Sequence, residues 1–248
     1  MLEKIRCLNG NALKIIAAVT MLIDHIGSYL LPQLGFLRII GRIAFPIFAF
    51  MIAEGARYTK NKLNYILQLS ILGAAWQIYL ILVFKSFRLN ILITFTISLC
   101  IIYLLDWFKI SLFDKNCSIP TKALSLLLFL CAPIGLLLLG KYAPWLGYEY
   151  GFYGCMVAVF ASAPSLNRTN APDWLKKLDV IPVRVLCMCI PLLIYSYFSG
   201  YPQYFCFISV IPLLLYSGKR GQAKMKYFFY IFYPAHLLIL HALMFIIY

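Results

Sequence analysis

Leu22 to Gly27 reads LIDHIG, which places a carboxylate beside an imidazole within an apolar stretch running from Ala12 to Leu31. A histidine can exchange protons near neutral pH, and a neighbouring carboxylate can orient or charge it, so Asp24 and His25 are the first candidates for acid–base chemistry. The stretch is long enough to cross a bilayer, where an ionisable side chain costs about 2.5–3.5 kcal/mol on insertion scales. Thr20, Asp24 and Ser28 follow one i,i+4 stripe, and Met21, His25 and Tyr29 follow the next. The two stripes make a polar seam that must face protein or water. The bland alternative is a structural pair that ties this helix to a neighbour.

Three further segments carry chemistry at membrane depth or beside it. The run LRIIGRIAFPIFAFMIAEG, Leu37 to Gly55, puts Arg38 and Arg42 one turn apart on a shared face. Arg42 is deep enough to require an anion, and Asp24 is the obvious partner by depth. Gly41, Ala44, Ala49 and Ala53 allow close backbone approach, Pro46 is expected to kink the helix, and Arg57 is placed to neutralise Glu54. The run YFFYIFYPAHLLILHALMF, Tyr227 to Phe245, places His236 near mid-membrane and His241 farther out. Tyr233 stands within a turn of His236 and Tyr230 less than two turns before it, in reach of it or of a substrate. In SGKRGQAKMK, Ser217 to Lys226, Lys219 and Arg220 lie between two glycines. Such a loop can hold phosphates, and it is also what the positive-inside rule places on the cytoplasmic face.

The elements that position these groups are helices. Of 248 residues, 63% are hydrophobic and 12% charged, and the apolar runs lack the alternation of a transmembrane barrel. The expected fold is therefore all-α, a polytopic transmembrane bundle, with residues 1–248 forming one integral-membrane domain. Nine apolar segments are expected to be helical, near 12–31, 36–54, 64–84, 89–108, 121–140, 150–163, 182–198, 202–216 and 227–247. Those at 150–163 and 202–216 are short for a bilayer and are expected to be tilted, re-entrant or broken. The first run lacks a small-x-small cleavage site and reads as a span, not a removable signal.

Nine spans place the termini on opposite sides, and the distribution of Lys and Arg predicts a cytoplasmic N-terminus and an external C-terminus. Lys85, Arg88 and Lys141 then lie in outer loops, Arg38 and Arg42 inside the second span, and the rest of the 22 Lys and Arg on the cytoplasmic side. The +14 net charge is thereby a topology signal and not the mark of a nucleic-acid partner. The polar stretch Pro164 to Ile181 reads as an ordinary connection. Eight scattered cysteines without a CxxC, and only three histidines, argue for small core thiols and against a zinc cluster, so no metal is expected.

Together these segments resemble the TraX family, membrane proteins linked to N-terminal acetylation of pilin in conjugation systems. The likeness runs through NALKIIAAVTMLIDHIG (Asn11–Gly27), GRIAFPIFAFMIAEGARYT (Gly41–Thr59), RLNILITFTIS (Arg88–Ser98), YEYGFYG (Tyr148–Gly154) and YSGKRG…YFFYIFYPAHL (Tyr216–Leu237). The family is in turn similar to the larger group of membrane acyltransferases, in which a first-helix histidine and arginines near the second helix are central. Mapped onto this sequence, that points to His25 and Arg42. The resemblance implies a multi-pass protein of the cell (inner or plasma) membrane that moves an acetyl group from cytoplasmic acetyl-CoA to an acceptor amine. The expected acceptor is the N-terminus of a membrane or exported peptide or protein. In that reading His25 is general base, Asp24 stabilises its charged form, Arg42 stabilises the oxyanion, and His236 is a further catalytic candidate. Arg57, Lys60, Lys219 and Arg220 bind the donor, with Arg38, Glu54 and Tyr233 as further substrate contacts. The alternative is a proton-coupled transporter or exporter with Asp24, His25, Arg42 and His236 as a relay, although no pair of similar halves stands out. A structural partner in an envelope assembly, with no chemistry, is a third reading.

Overall fold

A computed structural model of the chain describes residues 6–165, 172–222 and 225–247. Among these residues the chain is helical, and β pairing is limited to isolated bridges, Leu8 with Tyr216 and Leu89 with Tyr148. The helices are α1 (Gly10–Tyr29), α2 (Gly35–Gly41), α3 (Ala44–Tyr58), α4 (Lys62–Phe84), α5 (Ile91–Phe113), α6 (Ile119–Tyr142), α7 (Gly151–Ser162), α8 (Asp173–Leu178), α9 (Ile181–Ser199), α10 (Val210–Leu214) and α11 (Lys226–Ile247). A 3₁₀ turn, Gln203–Ser209, runs directly into α10. Several starts are written in the sequence as caps. Asn9 accepts from Ala12 N–H at 2.9 Å, Asn61 from Asn64 N–H at 2.9 Å, and Asn90 from Leu92 N–H at 3.0 Å.

All nine expected apolar segments are helical. Seven of the resulting helices are long and apolar enough to cross a membrane, counting Gly35–Tyr58 as one, while Gly151–Ser162 and Gln203–Leu214 are shorter. The chain is a multi-pass membrane protein, and much of α6 carries its leucines exposed, Leu127 and Leu137 among them, as a lipid-facing helix does. In the polar stretch expected as a plain connection, residues 166–171 lie outside the described ones and Asp173–Leu178 is helical. In the basic segment before α11, residues 223 and 224 likewise lie outside.

The chain divides into two compact units, Met1–Met51 with Leu192–Tyr248, and Ile52–Pro191. In the second unit α7 is buried almost all round, from Gly154 to Ser162, and Ser98 of α5 donates to Cys155 O at 3.0 Å. Asn90 ties α5 to α4 through Gly73 O at 2.8 Å and Gln77 Oε1 at 3.1 Å. Tyr148 donates to Leu136 O at 3.1 Å, and burial pushes its phenol upward.

The second apolar segment is interrupted ahead of Pro46. α2 ends at Gly41, and α3 begins at Ala44. Pro46 has no N–H to give to Arg42 O, and its ring crowds that carbonyl, so the helix opens four residues ahead of the proline. Arg42 N–H is shared between Arg38 O at 3.3 Å and Ile39 O at 3.2 Å, a tightened last turn. Arg42 therefore sits in the break itself.

Candidate functional site

The site lies in the first unit, where α1 meets α2 and α11. Two glycines permit the first contact. A Cβ on Gly41 would come within 2.1 Å of Asp24 Oδ1, and one on Gly27 within 2.7 Å of Leu37 Cβ. The bare backbone of α2 thus makes room for the Asp24 carboxylate. Asp24 Oδ2 accepts from Arg38 Nη1 at 2.7 Å, and Oδ1 accepts from Arg42 Nη2 at 3.3 Å. Arg42 was expected to be the partner. Arg38 is the nearer one, and it also donates to the Asp24 carbonyl at 3.2 Å. Pairing one carboxylate with two guanidiniums leaves a net positive charge at the break between α2 and α3.

Asp24 does not hold His25. Its carboxylate accepts from the two arginines, and the His25 ring turns to α11, as the angle of about 100° between helical neighbours dictates. There His25 Nδ1 stands 2.9 Å from His236 Nε2, with the rings 15° from parallel. His236 Nδ1 stands 2.6 Å from Phe232 O. A carbonyl can only accept, so His236 carries its proton on Nδ1. In the neutral ring Nε2 is then bare and accepts from His25 Nδ1–H. This chain of bonds leaves Nε2 of neutral His25 as its unprotonated, basic nitrogen. The Phe232 ring, 4.7 Å from His236 and 15° from parallel, packs against the same imidazole.

α1 and α11 run in the same direction. Lys14 lies 5.7 Å from the Phe229 ring centroid, His25 meets His236, and Tyr29 meets His241 edge-on at 4.8 Å. Tyr233 is buried with its ring edge-on to His236 at 6.0 Å. His241 is 2% exposed and lies one turn beyond the His25–His236 pair.

At the start of α1 the loop bearing Lys219 and Arg220 is stitched to the helix. Gly10 N–H donates to Lys219 O at 2.7 Å, Asn11 N–H to Arg220 O at 3.1 Å, and Ser217 N–H to Leu8 O at 2.8 Å. Gly218 and Gly221 adopt φ of 75° and 92°, and a Cβ on Gly221 would sit 2.9 Å from Asn9 Oδ1. The glycines are thus needed to lay the loop against the helix end. The Lys219 and Arg220 side chains are exposed, Lys14 stands nearby, and none of the three has an ion pair among the described residues. Lys14 was not singled out from the sequence; its position one turn into α1 was the available signal.

The remaining expected residues belong to the second unit. Arg57 was expected to neutralise Glu54. Glu54 bonds Arg184, which also donates to Ala161 O at 3.0 Å, and Arg57 pairs with Asp179 at 2.9 Å. Glu54 and Arg184 are 4% and 1% exposed, and a fully buried guanidinium needs a carboxylate beside it. Lys60 is exposed. Lys109 donates to Ser162, Ala163 and Ser165 carbonyls at 3.3, 3.2 and 2.7 Å, capping the end of α7.

Comparison with known proteins decides the family. The family model described as "TraX protein" matches residues 9–244. This chain belongs to the TraX family. It is also similar, at 46% identity over 92 residues, to the uncharacterized protein RP591 of Rickettsia prowazekii strain Madrid E. That stretch is 37% of this chain and 35% of the relative, so the two are alike over about a third of the relative's length. No solved structure matches. The TraX match takes in every site residue of the first unit, from Lys14 to His241.

Proposed function

We propose that this TraX protein is an integral membrane acetyltransferase of the cell membrane, with cytoplasmic acetyl-CoA as donor and a peptide or protein N-terminal amine as acceptor. The observation that carries this reading is the His25–His236–Phe232 chain of hydrogen bonds. It supplies one imidazole with a defined basic nitrogen at bilayer depth, next in sequence to a carboxylate that fixes two guanidiniums.

The chemistry follows from those positions. His25 Nε2 takes a proton from the acceptor amine as its nitrogen attacks the thioester carbonyl. The imidazolium that forms shares its Nδ1 proton with His236 Nε2. The carbonyl π pair moves onto oxygen, where the Arg42 guanidinium meets the charge. The intermediate collapses, the C–S bond breaks, and the CoA thiolate takes the proton back from His25. An amide and free CoA result, and the base is regenerated. Asp24 acts by holding Arg42 and Arg38, not by touching His25.

The donor enters at the opposite end of α1. Lys14, Lys219 and Arg220 are suited to the CoA phosphates. Lys14 and His25 are eleven residues apart, about 16 Å along the helix axis. An extended pantetheine arm bridges such a distance. With the N-terminus cytoplasmic, the phosphates stay at the inner surface while the thioester reaches the outer half.

The test is transfer of labelled acetyl from acetyl-CoA by the purified protein to a peptide with a free N-terminus and, separately, to the same peptide with that amine blocked. The expected result is product from the free peptide only. A protein that gives no acetylated product but moves protons across vesicles is the transporter instead.

A further inference from the structure

Gln203 opens the 3₁₀ turn before α10 and is 3% exposed. Its Oε1 accepts from Arg42 Nη1 at 3.2 Å. A guanidinium donates and never accepts, so the amide has one permitted orientation, oxygen toward Arg42 and NH₂ away from it. That NH₂ nitrogen is buried without a hydrogen-bond partner among the described residues. Turning the amide over would set its NH₂ against the guanidinium, so the unmet donor cannot be relieved by rotation. An unmet buried donor is destabilising, and a methionine would fill similar space without it.

Arg42 has donors to spare beside it. Nε–H goes to Arg38 O at 3.2 Å, one Nη1–H to Gln203, and one Nη2–H to Asp24 Oδ1 at 3.3 Å. Three contacts fix the plane of the guanidinium and leave two of its five N–H groups without a partner among the described residues. An unmet amide donor and an oriented cation with unmet N–H groups are therefore joined by one hydrogen bond, in the same unit as His25. Two such donors suit an oxygen that carries no proton and gains negative charge.

We propose that Gln203 Nε2–H and Arg42 together bind the acyl oxygen of the donor thioester, with Gln203 the second donor of an oxyanion site. This rests on the acetyltransferase reading. As the amine–carbon bond forms, the carbonyl π pair becomes a lone pair on that oxygen. Gln203 and Arg42 hold it until the pair returns to carbon and the thiolate leaves. No proton moves to or from Gln203.

Gln203→Glu separates this role from simple support of Arg42. Glutamate keeps an acceptor for Arg42 and replaces the NH₂ donor with a negative oxygen. The measurement is steady-state transfer from acetyl-CoA to the free-amine peptide by wild type, Gln203→Glu and Gln203→Met, with thermal midpoints recorded in detergent. The proposal expects kcat to fall about 100-fold or more in both variants, with KM for acetyl-CoA unchanged and no loss of thermal midpoint in Gln203→Met. Gln203→Glu or a folded Gln203→Met at wild-type kcat overturns the proposal and leaves the acetyltransferase reading standing. A wild-type protein that transfers no acetyl overturns that reading and this proposal with it.

Discussion

His236 presents a bare Nε2 to His25 because its other ring nitrogen, 2.6 Å from Phe232 O, must donate. The bond of 2.9 Å between the two rings therefore has a direction, from His25 Nδ1–H to His236. A backbone carbonyl of α11 decides which nitrogen of α1 is basic. His25→Ala removes the proposed base, and acetyl transfer should fall by at least about 100-fold. His236→Ala removes the orienting ring and should cost less than that. His241→Ala should leave kcat near wild type, since Tyr29 and not His25 is its ring neighbour. Parallel kinetics of the three variants checks the order.

The ring pair also sets a pH dependence. An N–H···N bond needs one unprotonated nitrogen, so the pair accepts one extra proton and keeps its bond, while a second proton breaks it. Transfer should decline as pH falls, because the base is then already occupied. The residual activity of His25→Ala should lack that acidic limb. Rate against pH for wild type and variant is the measurement.

Asp24→Asn strips both arginines of their carboxylate. Removing one partner of this part-buried pair leaves two guanidiniums without their carboxylate, which should appear as a lower thermal midpoint in detergent. Transfer should fall with it, through a displaced Arg42.

Gly41→Ala should reproduce that loss without touching a charge. The new Cβ would sit 2.1 Å from Asp24 Oδ1 and must push the carboxylate aside. Gly35→Ala is the control, since a Cβ there meets nothing within 4 Å. It should shift stability by no more than about 0.5 kcal/mol.

Much of the fold was legible in the chain because each helix carries its own signal. The nine apolar runs are all helical, and Gly41 beside Arg42 marked a close approach that the structure shows against Asp24. What one helix cannot show is which helix faces it. His25 and His236 are 211 residues apart, and Glu54 and Arg184 are 130 apart. Periodicity places each on a face and leaves the partner open, so Arg184 has no local signal as the partner of Glu54. Gln203 escaped notice for a related reason. It stands at the edge of a short apolar run, where a glutamine reads as interfacial until Arg42 is seen to reach it. Carbonyl acceptors such as Phe232 O have no side-chain signal at all.

Replacing Lys219 and Arg220 by alanine should raise the KM for acetyl-CoA about 10-fold or more, for two lost charge-assisted contacts. Lys14→Ala should add to the effect, and the affinity for the acceptor peptide should not move. The glycines on either side should be left intact in these variants, because they hold the loop on α1.

Whether His25 is the base of an acetyl transfer is tested most directly by one comparison. Wild-type and His25→Ala protein, shown to be folded and inserted to the same extent, are given labelled acetyl-CoA and a peptide with a free N-terminus. The account predicts labelled peptide from wild type and at least about 100-fold less from His25→Ala. Equal labelling by the two proteins would contradict it.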